Sequence, residues 1–219
     1  MSANTTQQNH QDAGRQLVEW IVKHRRTVLL AVAGLAAAIL VVWFVLEYGK
    51  RKELAATGAL NEARGAVQAG NLPLAASDLA RVTDTYGGTV AADEATILLA
   101  QVRLQQDQPT VAADELRAAL ASGMRPQFEA AALGLLGTAL EEIGNHREAG
   151  EAFERASGAS WYEFVAAQYL IDAGRAFLAA RDTTRAIAAY ERVLSDFEEA
   201  PATTEARVRV AELRAAMGG

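Results

Sequence analysis

The distribution of apolar residues divides the chain into two kinds of sequence. Thr27–Leu46 is an unbroken run of 20 residues without a charge. As a helix rising 1.5 Å per residue, it is long enough to cross the ~30 Å hydrocarbon core of a bilayer. Beyond it, apolar residues recur at spacings of four and seven residues, which place them on one face of a helix. The pattern therefore predicts one membrane-spanning helix followed by a series of amphipathic helices.

The amphipathic part repeats with a fixed period. Alanines recur every 37 residues, each is followed four residues later by a large apolar residue, and a small residue stands twelve residues before each alanine. Self-similarity of this length indicates a solenoid of helical hairpins, in which small residues let the paired helices approach closely. The alanines are Ala75, Ala112, Ala149 and Ala186; the large residues are Leu79, Leu116, Phe153 and Tyr190; the earlier small residues are Ala63, Ala100, Gly137 and Gly174.

Turn signals set the boundaries of the predicted helices. The stretches "AGN", "GNH" and "RDT" separate the two helices of a hairpin. Each of the four prolines, Pro73, Pro109, Pro126 and Pro201, is predicted to start a helix, where a missing N–H costs nothing. The sequence from Pro201 onward forms a ninth helix that caps the stack. The predicted fold is all-α: a single transmembrane helix followed by four helical hairpins and a C-terminal capping helix.

Three segments follow from this pattern. Residues 1–26 are a polar N-terminal arm ending in a juxtamembrane helix, residues 27–48 are the transmembrane anchor, and residues 49–219 are the repeat domain. Within the arm, "RQLVEWIVKH" is amphipathic, either as a separate helix at the membrane surface or as an extension of the spanning helix. Cations on both sides of the apolar run support a membrane span. The run is longer than the apolar region of a signal peptide and no small-x-small cleavage site follows it, which favours an anchor that is retained.

Charge and composition exclude several function classes. Residues 1–52 carry seven Lys and Arg against three acids, whereas residues 53–219 carry 14 Arg, no Lys and 24 acids. A body with a net charge of −10 is a poor ligand for nucleic acid. The chain has no Cys, and the body has one His, His146, predicted to lie in a surface turn. With no catalytic or phosphate-binding motif, we predict that the protein is not an enzyme and needs no cofactor or metal.

The first helix of each hairpin is expected to line a concave surface that binds a partner. Its apolar members should be exposed to solvent, and its two arginines should fix a partner's register. Trp161 and Tyr162 are predicted to pack against the preceding repeat, with a partner contact as the alternative. The predicted groove residues are Leu60, Arg64, Ile97, Leu98, Gln101, Leu135, Glu141, Ile171, Arg175 and Leu178.

The repeat resembles the tetratricopeptide repeat. "LGTALEEIGNHREAGEAFERA" (Leu136–Ala156) follows that pattern closely, with its Leu-Gly pair and the later small, aromatic and small residues. Together with the anchor "LVEWIVKHRRTVLLAVAGLAAAILVVWFV", the chain resembles the YfgM-like family of single-span ancillary subunits of the bacterial SecYEG translocon. The resemblance implies a role beside the translocon in the periplasmic chaperone network, with no catalysis. It also implies a bacterial inner-membrane location, a cytoplasmic N-terminus and a periplasmic repeat domain, an orientation the flanking charges favour only weakly.

The expected partners are therefore proteins of a membrane complex such as the translocon, with lipid contacted through the one span and no nucleic acid bound. Two other function classes stay open from the sequence. One is a structural accessory subunit that docks permanently onto another membrane complex and organises it. The other is an adaptor that regulates an enzyme.

Overall fold

The structure is a computed structural model, and it describes Trp20 and residues 23–218. Most of the predicted juxtamembrane helix lies outside the described residues. The described residues form nine helices and no strand. The helices are α1 (Arg25–Gln68), α2 (Leu72–Tyr86), α3 (Val90–Gln105), α4 (Pro109–Ser122), α5 (Pro126–Glu142), α6 (His146–Ala159), α7 (Glu163–Ala179), α8 (Thr183–Asp196) and α9 (Thr203–Gly218).

The chain divides into two compact units, residues 1–51 and residues 52–219. In the first unit, the described apolar side chains are exposed, for example Leu30 at 74% and Phe44 at 65%. Among the described residues, one helical segment, Ala33–Gln68, is long and apolar enough to cross a membrane, and an 18-residue stretch within it has a mean hydropathy of 1.6. Its apolar part overlaps the predicted span Thr27–Leu46.

Helix α1 contains both the apolar segment and the first helix of the first hairpin. The sequence between them, "GKRKE", has no proline to interrupt the backbone hydrogen bonds. Near this point the Arg51 Nε donates to Glu47 Oε1 at 3.0 Å, a pair one helical turn apart. No signal in this sequence ends the helix before the "AGN" turn that follows Gln68.

The second unit has the predicted hairpin order. The end of α1 pairs with α2, α3 with α4, α5 with α6 and α7 with α8, and α9 follows the last hairpin. The small-residue columns lie in the core, where Ala63, Ala75, Ala112 and Ala186 are each 0–1% exposed. The predicted fold class, four helical hairpins and a capping helix after an apolar N-terminal helix, is confirmed.

The column of small residues on the first helices, and the column of large residues facing it, differ between the halves of the stack. In the third hairpin, a Cβ added to Gly137 would lie 2.6 Å from Cε1 of Phe153, and in the fourth, a Cβ on Gly174 would lie 2.5 Å from Cε1 of Tyr190. Both rings are 2% exposed, so neither can swing away from an added methyl group. In the first two hairpins the corresponding residues are alanine and leucine, as in Ala63 and Leu79. A smaller residue on one helix thus accompanies a larger one on its partner.

Helix α3 is capped by residues far away in the sequence. The backbone N–H groups of Val90 and Ala91 donate to the two carboxylate oxygens of Glu53 at 3.0 and 3.1 Å. The Nζ of Lys52 donates to the carbonyl of Gly87 at 2.8 Å. A carboxylate at a helix N-terminus satisfies free N–H groups and favours the positive end of the helix dipole. The first two residues of the second unit therefore hold the loop between α2 and α3.

Three of the four prolines start helices as predicted, but the fourth does not. Pro109 and Pro126 are the first residues of their helices, and Pro73 is the second residue of α2. Pro201 lies in a turn, and α9 begins at Thr203. The turn is closed by the N–H of Thr203, which donates to the carbonyl of Ala200 at 3.1 Å, and this delays the helix by two residues.

Gly137→Ala should lower the free energy of unfolding by ~1–3 kcal/mol, because the new methyl group would overlap the buried ring of Phe153. The same change at Gly65, an exposed helical glycine with no heavy atom near its added Cβ, is the matched control. It should raise stability by ~0.5–1 kcal/mol. Thermal unfolding followed by circular dichroism compares the two, and equal melting temperatures would contradict the packing described here.

Candidate functional site

The predicted groove residues lie on the four first helices of the hairpins. Leu60 and Arg64 are on α1; Ile97, Leu98 and Gln101 are on α3; Leu135 and Glu141 are on α5; and Ile171, Arg175 and Leu178 are on α7. We call this surface the groove face. Its central feature is a cleft of about 280 Å³ between α3, α5 and α7.

The cleft brings four of the predicted residues together, from three successive hairpins. Ile97 and Leu135 supply apolar walls, and Gln101 and Arg175 supply polar groups. Six other residues that line the cleft are not in the predicted set. These are Ala131, Gly134, Thr138, Phe153, Tyr169 and Asp172. The surface is therefore a mixed apolar and polar pocket, a composition suited to an extended peptide or a helix.

Two predicted groove residues are not available for binding. Leu60 is 1% exposed and Ile171 is 3% exposed, so the prediction that they face solvent is wrong. Leu60 belongs to the core cluster that joins α1, α2 and α3, and Ile171 to the cluster that joins the later helices. Both side chains turn into the space between helices, because burying an aliphatic side chain there stabilises the fold by roughly 1.5–3 kcal/mol.

The other four apolar groove residues, Ile97, Leu98, Leu135 and Leu178, are half-buried. Each packs against one of the two core clusters and keeps part of its side chain at the surface. The exposed apolar stripe expected from the sequence is thus reduced to the outer edges of core residues. This is enough to line a cleft but does not form a continuous apolar band.

Both groove arginines are occupied by ion pairs within the domain. Arg64 on α1 pairs with Glu94 on α3 and donates to Asn61 Oδ1 at 3.1 Å. Arg175 on α7 pairs with Glu141 on α5 at 2.9 Å and with Asp172 at 3.1 Å. The pairs with Glu94 and Glu141 join first helices of neighbouring hairpins, whereas Asp172 lies one turn from Arg175 on the same helix. The side chain of Arg175 is 59% exposed, so water screens its ion pairs and weakens them. The guanidinium group can therefore exchange these acids for a group on a partner.

Tyr169 is the largest of the cleft residues outside the predicted set. Its ring lies over Gly134, with Cε1 only 2.5 Å from the position of an added Cβ, and it stacks on Phe153 at a centroid distance of 6.5 Å. A signal for it does exist in the sequence. Positions 60, 97 and 171 of one repeat column hold large aliphatic residues, whereas position 134 is glycine. That gap admits a large side chain from the following hairpin.

Asp172 is the acidic residue that lines the cleft. Its side chain is 18% exposed, and burial raises the pKa of this carboxyl above its ordinary value of 3.8, an effect that the charge of Arg175 partly opposes. Burial, with the charge of Asp172 as a second cause, also raises the pKa of Tyr169, so its hydroxyl stays protonated. The cleft therefore offers a donor at Tyr169 and a carboxylate that has lost part of its hydration.

Trp161 and Tyr162 do not pack against the preceding repeat. Their side chains are 69% and 65% exposed, and Phe164 beside them is 63% exposed. The prediction that they are packed against that repeat is therefore wrong, because the turn at Ser160 leaves both rings exposed before α7 begins at Glu163. Among the described residues, no group of three or more His, Cys, Asp or Glu side chains could hold a metal ion.

The comparisons with known proteins agree with this architecture. A family model described as a tetratricopeptide repeat-like domain matches residues 36–168, and a tetratricopeptide repeat model matches residues 171–218. No curated protein matches the sequence.

Two solved structures are similar in fold. The crystal structure of MamA superposes with a TM-score of 0.57 at 19% identity, covering 71% of this chain and 84% of that one. A tetratricopeptide repeat protein from Parabacteroides merdae gives 0.59 at 12% identity, covering 74% of this chain and 61% of that one. At these identities the likeness concerns the fold alone.

Replacing Asp172 by asparagine should change how stability depends on pH. The pKa of Asp172 is raised in the folded protein, so above pH 3.8 the folded protein binds a proton at this carboxyl more tightly than the unfolded chain does. The stability that this proton contributes is lost as the pH rises through the folded-state pKa. The asparagine variant lacks this loss. We therefore expect the unfolding free energy of the unaltered protein, relative to the variant, to fall with rising pH. Denaturant unfolding at a series of pH values tests this, and a difference independent of pH would contradict it.

Proposed function

The chain belongs to the tetratricopeptide repeat-like domain family, and on this premise we propose that it is a membrane-anchored module that binds other proteins through its groove face. Tetratricopeptide repeats generally mediate protein–protein interaction. The observation that supports a site on the groove face is the cleft between α3, α5 and α7, since it collects residues from three hairpins at one place. The proposed site residues are Ile97, Leu98, Gln101, Leu135, Glu141, Arg175 and Leu178, with Arg64 at the α1 end and Tyr169 and Asp172 added.

The chemistry of the cleft favours a protein segment over a small metabolite. Its walls at Ile97 and Leu135 accept an aliphatic side chain, while Gln101 and Thr138 offer hydrogen bonds to a peptide backbone. Arg175 can exchange its exposed ion pairs for a carboxylate or carbonyl of the partner. Tetratricopeptide domains that clamp a C-terminal carboxylate use lysine, and residues 53–219 contain none. An internal segment is thus the better candidate.

We further propose that the apolar part of α1 spans the bacterial inner membrane, with the N-terminus in the cytoplasm and the repeat domain, residues 49–219, in the periplasm. This is supported by the apolar helical segment at Ala33–Gln68 and by the resemblance to the ancillary subunit of the translocon. In that role the groove face would bind translocon subunits, emerging chains or periplasmic chaperones. The charges flanking the span agree with this orientation, but only weakly.

A structural accessory role is the second candidate, and one observation favours it. Tyr169 already fills the gap above Gly134, and both groove arginines are held by ion pairs, so part of the groove face is occupied by the domain itself. A partner docked permanently elsewhere would leave that arrangement intact. Pulse-chase crosslinking separates the two roles, because a transient client exchanges within the chase and a structural partner does not.

Partner binding through the cleft should be abolished by combining Ile97→Asp with Arg175→Glu. The aspartate puts a charge in the apolar wall, and the second change reverses the charge at the rim. We expect crosslinks to translocon subunits in native membranes to fall by about tenfold or more, with helical content and membrane attachment unchanged.

The matched control combines Val111→Asp with Arg117→Glu on α4, a second helix, where Val111 is 41% exposed and lies away from the cleft. It makes the same two kinds of change and should keep the crosslinks. Crosslinks that survive the cleft variant would move the site to another surface.

The proposed orientation predicts which residues an external protease reaches. Protease added to spheroplasts should degrade the chain beyond Lys52 and leave the N-terminal arm protected. Immunoblotting with tags at each end measures both. A repeat domain that is cut only after the cells are lysed would overturn the periplasmic location and the translocon role together.

A further inference from the structure

Three exposed aromatic side chains form a surface that the groove face does not include. Trp161, Tyr162 and Phe164, which we call the aromatic edge, are 63–69% exposed at the connection between α6 and α7. The turn is fixed, because the Tyr162 N–H donates to Ser160 Oγ at 3.3 Å and that hydroxyl donates to the Tyr162 carbonyl at 3.1 Å. A contiguous exposed apolar surface held by an ordered backbone is a typical mark of a binding site.

Two clefts flank the aromatic edge, one on each side of the start of α7. The first, about 200 Å³, is lined by Trp161 and Tyr162 together with Pro126 at the start of α5. The second, about 300 Å³, is lined by Phe164 together with Pro201 and other apolar residues. Val165 and Tyr169 border both clefts. A chain crossing the aromatic edge could therefore place one apolar side chain in each cleft.

Three acidic residues lie in the segments that carry the aromatic edge and its second cleft. Glu163 stands between Tyr162 and Phe164, and Glu198 and Glu199 lie in the connection that leads to Pro201. All three are exposed, and none takes part in an ion pair with a described residue. Most arginines of the repeat domain, by contrast, are paired with acids, as Arg175 and Arg185 are. Exposed aromatic rings beside free carboxylates attract guanidinium and ammonium groups, through cation–π contacts and through charge.

We propose that the aromatic edge binds a protein segment in which arginine or lysine alternates with large apolar residues. The apolar side chains enter the two clefts, and the cations lie over the rings and against Glu163, Glu198 and Glu199. An anionic lipid surface fits less well, since the carboxylates would be repelled by it. The three exposed rings lie outside the cleft proposed above, and the two surfaces share Tyr169 at their border.

The test uses the full-length protein in nanodiscs of neutral phosphatidylcholine, with Trp20→Phe and Trp43→Phe so that Trp161 is the sole tryptophan. The probe is a short fluorescein-labelled peptide in which arginine alternates with leucine. Fluorescence anisotropy measures its Kd, and Trp161 emission reports contact with the aromatic edge. We expect binding with a change in emission, and binding weakened about tenfold or more when glutamate replaces each arginine or serine replaces each leucine.

Variants separate this surface from the groove face. Trp161→Ala with Phe164→Ala should weaken binding about tenfold or more while leaving every charge in place. Glu163→Gln with Glu199→Gln should weaken it several-fold at low salt and less at high salt. Ile97→Asp with Arg175→Glu should leave the Kd unchanged, so the proposal can fail or succeed independently of the groove.

Other occupants give different results, and each would overturn the proposal. A peptide that binds the aromatic variant as tightly as the unaltered protein uses another surface. Trp161 emission that shifts between detergent and nanodiscs, with no response to peptide, identifies lipid as the occupant. Self-association in analytical ultracentrifugation that the aromatic variant abolishes, again with no response to peptide, identifies a second copy of the chain.

Discussion

The contact between a small residue on the first helix of each hairpin and the large residue facing it on the second helix sets the spacing of the whole stack. In the third and fourth hairpins glycine faces an aromatic ring, at Gly137 with Phe153 and at Gly174 with Tyr190. In the first two hairpins alanine and leucine occupy the same columns. The total volume of each pair changes less than either member does, so hairpins of different composition stack with similar geometry.

This packing also decides what reaches the groove face. The helices approach so closely that Leu60 and Ile171 are drawn into the core, while Ile97 and Leu135 keep only an edge at the surface. Where the column holds Gly134, the space is taken by Tyr169 from the next hairpin. The cleft is thus the outer layer of the core, and Arg175 at its rim joins two neighbouring hairpins through Glu141. A partner that enters it must compete with contacts that already stabilise the stack.

The sequence was sufficient for features that depend on spacing along one chain segment. The period of 37 residues predicted the hairpins, and the buried columns followed from their helical spacing. The exposure of a groove residue depends on side chains from other hairpins. Leu60 and Ile97 occupy the same repeat column, yet Leu60 is buried and Ile97 is half-buried. Glu94 and Glu141, which pair with Arg64 and Arg175 across hairpins, lie 30 and 34 residues away, beyond the reach of local patterns. Trp161 and Tyr162 were misplaced because aromatic residues favour burial, whereas the turn at Ser160 holds these two outside.

The hydrogen bonds from α3 to Glu53 place the true beginning of the repeat domain before its first core residue, Ala56. A protease that cut just ahead of Lys52 would shed a body that still carries its capping carboxylate. A cut a few residues later would give a body with the same groove face, in which α3 keeps its N-cap Thr89 but loses the two hydrogen bonds to Glu53, at a cost of about 1 kcal/mol. Proteolytic release of the domain would therefore give products of unequal lifetime, according to which side of Glu53 the bond is broken.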